Sequence, residues 1–287
     1  MYNDIGDFMP KVLALDLDGT LFYPKKRIKM IPKKNIDFIR RFIDEGNKVV
    51  LCSGRNLPYA VKVQKKLQRT IDVIGCNSSF IYSNGEIVKS AAMKAPEVGA
   101  MVREFADKFG IRIWLLMSKK QSLVIAGNLS TFAKWLYTFL YFTHGVYAEK
   151  YIISNDAFKE ELETGDIYKL MMFFGLGKKA KERACEANKY IREYYQDIVE
   201  ASWTDNFIEL TAPNVSKSNG LKDYCEINNI DPKDIYVVGD SGNDISMFQA
   251  FYEHSFCMEH SPDKIKKFAK YQVKRVADIE KLIKEIE

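Results

Sequence analysis

The sequence predicts an α/β fold, with a Rossmann-like, doubly wound parallel-sheet core and an inserted α+β cap. Three short apolar runs each end in a polar cluster, and amphipathic helical patterns separate them. Strands that alternate with helices favour right-handed crossovers and a parallel sheet. A long middle stretch interrupts this alternation, which indicates an insertion. We therefore expect a core over residues 1–84 and 209–287 and a cap over residues 85–208.

The first half of the core alternates strands with helices. The apolar run from Val12 is short and rich in β-formers, which is typical of a strand buried on both faces. Apolar residues at helical spacing follow Pro32, and Gly46 closes that helix. We predict strands from Val12 and over 48–52 and 71–74, and helices over 32–45 and 58–68.

The middle of the chain has a different texture. Asn84-Gly85 between apolar residues is a strong hairpin signal, and beyond it helices and isolated strands are mixed. This mixture indicates a separate α+β unit. We predict helices over 96–109, 129–142 and 178–195, and strands over 111–116, 122–126, 168–174 and 207–211.

The doubly wound pattern resumes after Pro213. Ile235–Val238 is a third strongly apolar run, and a lysine- and glutamate-rich helical pattern from Ile279 completes the chain. We predict helices over 217–227 and from Ile245 and Ile279, and a strand over 235–238; the segment 255–258 lies between the last two helices.

Composition narrows the class of protein. A chain of 287 residues can bury a sizeable core and form two domains. The net charge of +5 is evenly spread, so no basic face predicts a nucleic-acid partner. The longest aromatic-rich run is too short to span a bilayer, and no secretory signal is visible. With five scattered cysteines in addition, we expect a cytoplasmic protein with reduced thiols, without nucleic-acid or membrane partners.

Polar residues follow each of the three apolar strands. Asp16 and Asp18 are two residues apart, so both point to one side where the first strand ends. Carboxylates at the carboxyl ends of parallel strands lie where open α/β sheets bind ligands. Ser53 follows the second strand, Asp240 and Asp244 follow the third, and Lys217 opens a helix.

Together these residues can support phosphoryl transfer through an aspartyl phosphate. A phosphate dianion repels a carboxylate nucleophile, so its charge has to be neutralised first. Mg²⁺ held by Asp16 and Asp240 could bridge nucleophile and phosphate, and Lys217 would add a fixed positive charge. Ser53 would donate to the equatorial oxygens, and Asp18 could exchange a proton with the leaving oxygen and then with water.

Each residue also has a simpler interpretation. Asp16 and Asp18 could cap a turn, and Ser53 could be an ordinary helix N-cap. Arg55 could clamp substrate or only pair with a carboxylate. His260 could reach substrate, although a surface histidine is the more common case.

Four motifs, in order, give a specific resemblance. Asp-Leu-Asp-Gly-Thr-Leu, Ser-Gly-Arg, Ser-Lys-x-x-x-Leu and Gly-Asp-Ser-Gly-Asn-Asp are similar to the four motifs of the haloacid dehalogenase superfamily. Their spacing resembles the Cof-type phosphatases, whose α+β cap, of the C2B type, is inserted between the second and third motifs. Asn84-Gly85 also matches that subfamily.

The resemblance implies roles for individual residues. Asp16 would be the nucleophile, and Asp18 the general acid and base, with its backbone carbonyl on Mg²⁺. The implied metal ligands are Asp16, Asp18, Asp240 and Asp244. The expected phosphate- or substrate-binding residues are Ser53, Gly54, Arg55, Asn84, Lys217 and Asn243.

The implied reaction is hydrolysis of a small phosphomonoester, such as a sugar phosphate, a nucleotide or a phosphorylated vitamin, by a monomer or homodimer. A sugar phosphomutase or phosphotransferase could use the same intermediate. The chain departs from the family at Met258-Glu259-His260-Ser261, where Met-Gly-Asn-Ala is usual, and near Arg275, where Asp-Gly-Val is missing. The altered loop alone motivates a third alternative, a non-enzymatic sensor of a phosphate ligand.

Overall fold

The computed structural model describes residues 10–24, 30–111, 113–127 and 150–286. The predicted helix over 129–142 lies outside the described residues. Most other predicted elements are present, with ends that differ by one to three residues.

Fifteen strands occur in the described part of the chain. In chain order they are β1 (Val12–Leu15), β2 (Lys48–Cys52), β3 (Asp72–Gly75), β4 (Phe80–Ser83), β5 (Glu86–Ser90), β6 (Met93–Lys94), β7 (Ile113–Ser118), β8 (Val124–Gly127), β9 (Ile152–Ile153), β10 (Asp166–Phe173), β11 (Glu200–Thr204), β12 (Phe207–Thr211), β13 (Ile235–Gly239), β14 (Ser255–Met258) and β15 (Tyr271–Val273).

Nine α-helices accompany these strands within the same described ranges. They are α1 (Lys33–Asp44), α2 (Leu57–Leu67), α3 (Ala95–Phe109), α4 (Asn155–Thr164), α5 (Lys178–Tyr194), α6 (Lys217–Asn228), α7 (Ile245–Ala250), α8 (Asp263–Lys266) and α9 (Ile279–Ile286). None of them is both long and apolar enough to cross a lipid bilayer.

The core is an eight-stranded sheet in the order β15-β14-β13-β1-β2-β3-β4-β5. The six strands from β15 to β3 are parallel, and β4 and β5 add an antiparallel hairpin at one edge. The chain winds outward from β1 in one direction and returns to β13 on the other side of β1. Sheets of this topology bind ligands where the winding direction reverses, which here is the carboxyl edge between β1 and β13.

Helices cover both faces of this sheet, as a doubly wound fold requires. Leu13 and Leu15 on β1 pack in one apolar cluster with residues of α1, α2 and α9. Val12 and Ala14 point to the other face and pack with residues of α6, α7 and α8. All four β1 side chains are fully buried, which explains why the strand shows no polar alternation in sequence.

The cap is built on a second sheet in the order β11-β12-β10-β7-β8-β9, with β6 paired to β10. The helices α3, α4 and α5 pack on one face of it around a separate apolar cluster. The chain leaves the core sheet after Ser90, at the end of β5, and leaves the cap sheet after Thr211, at the end of β12. The expected boundaries were 84/85 and 208/209. The Asn84-Gly85 hairpin is thus an edge of the core sheet, because its strand β5 pairs with β4.

Two of the elements that the sequence analysis did not predict, α4 and β11, have weak sequence patterns for identifiable reasons. The helix α4 buries little more than Phe158 and Leu162, so its apolar stripe is too short to stand out. The edge strand β11 has four of its five residues exposed, and it lacks the alternation of a half-buried strand.

Buried polar contacts fasten α6 to the core sheet. Tyr224 on α6 is fully buried, and its hydroxyl donates to Asp72 Oδ2 on β3 over 2.6 Å. Ser83 at the end of β4 donates to the same oxygen over 3.1 Å. Because Lys217 is the first residue of α6, this network helps to fix where its side chain enters the core.

Replacing Tyr224 with phenylalanine removes one donor from a buried carboxylate. Hydrogen bonds to charged groups contribute about 1.5–3 kcal/mol, so Tyr224→Phe should lower the free energy of unfolding by about that amount. Urea denaturation measures the change, and Tyr252→Phe, which alters a half-exposed tyrosine, is the control. An unchanged unfolding free energy would show that the network does not hold α6.

Candidate active site

The site begins where β1 ends. Asp16 is 5% exposed, and its backbone N–H donates to Val238 O on β13 over 3.0 Å. Leu15 is in register with Leu51 of β2 and Val238 of β13, so the three strands deliver their carboxyl ends to one edge of the sheet. The sequence prediction that the polar clusters converge is therefore met by the strand register.

A tight turn carries the chain away from Asp16. Gly19 within it has φ of +94°, a conformation that residues with a side chain rarely adopt. A Cβ at this position would lie 2.3 Å from Asp240 Oδ2. Glycine thus allows the turn to pass directly beside the carboxylate, and Thr20 Oγ1 donates to Asp240 Oδ1 over 3.1 Å.

Lys217 lies between two carboxylates in the buried centre of the site. Its Nζ donates to Asp16 Oδ1 over 2.7 Å and to Asp244 Oδ1 over 2.6 Å. The lysine is 1% exposed and Asp244 is fully buried, so this ion triad is shielded from water. Although burial lowers the pKa of Lys217, its two carboxylate partners more than offset that effect and raise the pKa above its ordinary value.

Backbone donors hold the second carboxylate of the triad. The N–H groups of Asp240 and Ser241 both donate to Asp244 Oδ2 over 2.9 Å. Asp244 thereby divides its oxygens, one facing Lys217 and the other closing the turn after β13. Asp244 thus caps this turn and also forms the ion pair with Lys217.

Three carboxylates crowd together at this edge. Oxygens of Asp16, Asp240 and Asp244 all lie within 4.8 Å of one another. Burial raises the pKa of Asp16 to about 8, with repulsion from Asp244 and Asp240 adding to the rise and Lys217 opposing it. Burial also raises the pKa of Asp240. One ammonium does not balance three carboxylates, so the cluster calls for a further cation or a proton.

This donor set fits a hard divalent cation. Such ions prefer carboxylate oxygens and retain water or substrate oxygens in the remaining positions. Asp16, Asp240 and Asp244 would hold the ion, and its charge would relieve the repulsion among them. The carboxylate of Asp18 stands apart from this cluster, so any part it takes in metal binding would have to come from its backbone carbonyl, as the family resemblance implies.

Asp18 pairs instead with Arg55. The guanidinium Nε lies 2.8 Å from Asp18 Oδ2, and both side chains are partly exposed. The same guanidinium lies over the ring of Tyr59, with 5.1 Å between Cζ and the ring centroid. Of the two interpretations of Arg55, the structure shows the carboxylate pair.

Ser53 lies at the same edge, directly after β2. Its side chain is buried, and its Oγ accepts a hydrogen bond from the Arg55 N–H over 3.2 Å. Its own N–H donates to Ile74 O on the neighbouring strand over 3.0 Å. The loop that starts at Ser53 is therefore fixed beside Asp16 by its backbone.

A cleft of about 620 Å³ opens between this edge and the cap. Among its walls are three of the expected phosphate-binding residues, Gly54, Lys217 and Asn243. Asn243 accepts from Ser241 Oγ over 2.6 Å and donates to Asn77 Oδ1 over 3.4 Å. Asp16 does not itself line this cleft; it lies behind Lys217, whose Nζ is 2.7 Å from Asp16 Oδ1.

Asn84 is not part of this cleft. It lies in the turn between β4 and β5, and β4 runs antiparallel to β3. Its N–H contacts Asp72 Oδ1 at 3.4 Å, and Asp72 begins β3 at the edge opposite to the site. The expectation that Asn84 binds substrate or phosphate is wrong for this geometric reason.

Three residues of the cleft were missed in sequence. Asn77 follows β3 at the carboxyl edge, so the rule that identified Ser53 would also have found it. Lys169 and Glu209 lie on the cap strands β10 and β12, and Lys169 interrupts an otherwise apolar run. A buried lysine in such a run is a detectable signal, since charge is rarely buried without a partner.

His260, in the loop that departs from the family pattern, lies at the rim of the carboxylate cluster. Its Nε2 is 3.7 Å from Asp240 Oδ2, and its ring stacks on Tyr23 with 3.9 Å between centroids. The side chain is 27% exposed. The loop thus places a ring beside a candidate metal ligand rather than in open solvent.

Known proteins share this architecture. A family model of haloacid dehalogenase-like hydrolases matches residues 13–284. The chain is 25% identical to 5-amino-6-(5-phospho-D-ribitylamino)uracil phosphatase YwtE of Bacillus subtilis, in an alignment covering 92% of this chain and 93% of that one. It is 24% identical to the Escherichia coli phosphatase YbjI of the same description, covering 91% and 90% of the two chains.

A solved structure supports the same fold. A haloacid dehalogenase-like hydrolase from Bacteroides thetaiotaomicron superposes with a TM-score of 0.74 at 19% identity, over 96% of this chain and 98% of that one. The family model spans nearly the whole chain, core and cap together. The chain therefore belongs to the haloacid dehalogenase-like hydrolases of the Cof type, and it is a phosphoric monoester hydrolase.

Proposed function

We propose that the protein is a Mg²⁺-dependent phosphatase of small phosphomonoesters and that it works through an aspartyl phosphate on Asp16. The observation that carries this proposal is the cluster in which Lys217 lies between Asp16 and Asp244, with the carboxylate of Asp240 beside them. A phosphate dianion can approach a carboxylate nucleophile only where positive charge is concentrated. Mg²⁺, held by Asp16, Asp240 and Asp244, would supply part of that charge when bound, and Lys217 supplies the rest.

Asp16 attacks phosphorus with one carboxylate oxygen, while the leaving alcohol departs on the opposite side. Ser53 Oγ and the backbone N–H groups of its loop donate to the equatorial oxygens of the phosphoryl group. Lys217, already 2.7 Å from Asp16 Oδ1, orients the nucleophile and balances charge on the transferred group. Asn243 supports the same group from the turn after β13.

Asp18 moves protons in this scheme. It donates to the leaving oxygen in the first step and accepts a proton from the attacking water in the second. The pair with Arg55 stabilises the ionised carboxylate, which suits the second step. In the first step Arg55 has to release Asp18, and a bound phosphate ester gives the guanidinium an alternative anionic partner.

The substrate is proposed only as a class. Sugar phosphates, nucleotides and phosphorylated vitamins are the classes to test against this cleft, most of whose lining side chains are polar. YwtE and YbjI are named for a phosphorylated ribitylaminouracil, so that compound belongs in the test panel. A product assay that separates free phosphate from a rearranged sugar phosphate distinguishes hydrolysis from phosphomutase action.

Asp16→Asn should reduce phosphate release from an aryl phosphate in Mg²⁺ by about a thousandfold or more, because the amide is a poor nucleophile. EDTA should abolish the wild-type activity, and added Mg²⁺ should restore it. The matched control is Asp44→Asn, an exposed aspartate paired with Arg69 outside the site. Full turnover by Asp16→Asn, or no response to EDTA, would contradict the proposal.

Mg²⁺ binding should depend on pH in a defined direction. The pKa of Asp16 is raised from 3.8 to about 8. In the pH window between these two values, the folded chain holds a proton on Asp16 that the unfolded chain has lost. The stability that this proton contributes is present at low pH and is lost as the pH rises through that window. Mg²⁺ competes with the proton, and its stabilising effect should therefore grow as the pH rises.

Thermal unfolding with and without Mg²⁺ measures this linkage. The Mg²⁺-induced rise in Tm should be larger at about pH 9 than at about pH 6, by at least about 3 °C. Asp16→Asn should flatten the dependence because its amide does not titrate. Equal Mg²⁺ effects at both pH values, or an unchanged dependence in Asp16→Asn, would argue against Asp16 as a metal ligand.

A further inference from the structure

Two charged side chains of the cap reach the phosphate-binding edge of the core. Lys169 on β10 and Glu209 on β12 face the cleft from neighbouring strands. Lys169 Nζ lies 3.1 Å from Gly54 O and 3.1 Å from Glu209 Oε1. The lysine is 5% exposed, whereas the side chain of Glu209 is 28% exposed.

This ion pair is poorly explained by stability alone. Lys169 stands between the buried residues Tyr168 and Leu170, and removing its charge from water is unfavourable. Coulomb attraction to a single carboxylate often does no more than offset that cost. A pair kept at the wall of a substrate cleft is therefore better explained by what it binds.

The pair retains hydrogen-bonding capacity toward the cleft. An ammonium has three N–H donors, and Lys169 has two partners within the described part of the chain, Gly54 and Glu209. Glu209 Oε1 also accepts from Asn77 Nδ2 over 2.6 Å, which leaves its second oxygen as an acceptor. A donor and an acceptor thus stand next to each other on one wall.

The rest of the cleft has matching chemistry. The cap contributes hydroxyl groups from Ser202, Thr204 and Thr211, and the core contributes the amides of Asn77 and Asn243. Among the described residues that line the cleft, no side chain is aromatic. The walls suit hydroxyl groups and offer no surface for stacking a planar base.

We propose that Lys169 and Glu209 form a donor–acceptor pair that binds a hydroxyl group of the leaving alcohol. The inference rests on the proposed phosphatase function and adds to it the residues that select the alcohol. Lys169 donates a hydrogen bond from its third N–H to the hydroxyl oxygen, and Glu209 accepts a hydrogen bond from the hydroxyl O–H. Because Gly54 directly follows Ser53, the pair contacts the carbons closest to the phosphate ester.

A hydroxyl-binding role for Lys169 and Glu209 predicts a result that a purely structural role, as a contact holding the cap on the core, does not. A site built to pair with a hydroxyl rejects an analogue without it, because its buried polar groups are then left unsatisfied. A strut would affect every substrate to the same extent. Two substrates that differ only in hydroxyl groups therefore separate the two roles.

Glycerol 3-phosphate and propyl phosphate are such a pair, since both have three carbons and one phosphate ester. With full-length enzyme and Mg²⁺, the wild-type ratio of their kcat/KM values should be at least about ten in favour of glycerol 3-phosphate. Lys169→Met and Glu209→Gln should each bring that ratio close to one. Glu209→Gln keeps the size of the side chain, so it remains informative if Lys169→Met folds poorly.

Lys119→Met, which changes an exposed cap lysine, is the control and should leave the ratio unchanged. A wild-type ratio near one would overturn the inference, as would equal losses on both substrates in the two variants. Failure of the proposed function gives a different result, in which no phosphate ester, an aryl phosphate included, is hydrolysed in an Asp16-dependent manner.

Discussion

The ammonium of Lys217, buried between Asp16 and Asp244, is the interaction on which the rest of the site depends. The ends of β1 and β13 and the start of α6 have to meet within a few ångströms for it to form, so the doubly wound topology is a precondition. Without the lysine, three carboxylates would face one another in a buried space, where repulsion and lost hydration both oppose ionisation. With it, the site is short of positive charge by an amount that a divalent cation can supply. We propose that this imbalance favours binding of the metal and, once the metal is bound, of a phosphate dianion.

The cap completes what the core edge begins. The core supplies the proposed nucleophile, Lys217 and the loops proposed to bind phosphate, whereas the cap supplies outer walls of the cleft. The two halves share polar contacts close to the chemistry, such as Ser79 Oγ to Tyr168 O over 2.7 Å and Asn56 Nδ2 to Ser118 O over 2.9 Å. Those contacts join core residues near the carboxyl edge to strands of the cap. Movement of the cap would therefore displace the neighbouring loops that we propose bind phosphate. Selection of the alcohol and positioning of the phosphate are thus linked through one interface.

Much of the fold and the centre of the site were predictable from sequence, because both depend on local patterns. Apolar runs identified the core strands, and polar residues at their ends identified Asp16, Ser53 and Asp240. The prediction was wrong for Asn84, since a hairpin signal gives a turn but not the edge of the sheet on which the turn lies. Lys169 carries a local signal, but its contact with Gly54, like that of Glu209 with Asn77, depends on how the cap sheet is placed over the core, which no local pattern encodes. Long-range placement, rather than element type, limited the prediction.

The central claim is that Asp16 is the residue that becomes phosphorylated. Mixing the enzyme with an aryl phosphate and Mg²⁺, quenching in acid and mapping the peptides by mass spectrometry tests it most directly. We expect one added phosphoryl group on the peptide that contains Asp16, located on that residue and absent from Asp16→Asn. A phosphoryl group on another residue, or rapid turnover with no phosphorylated enzyme at any quench time, would contradict it.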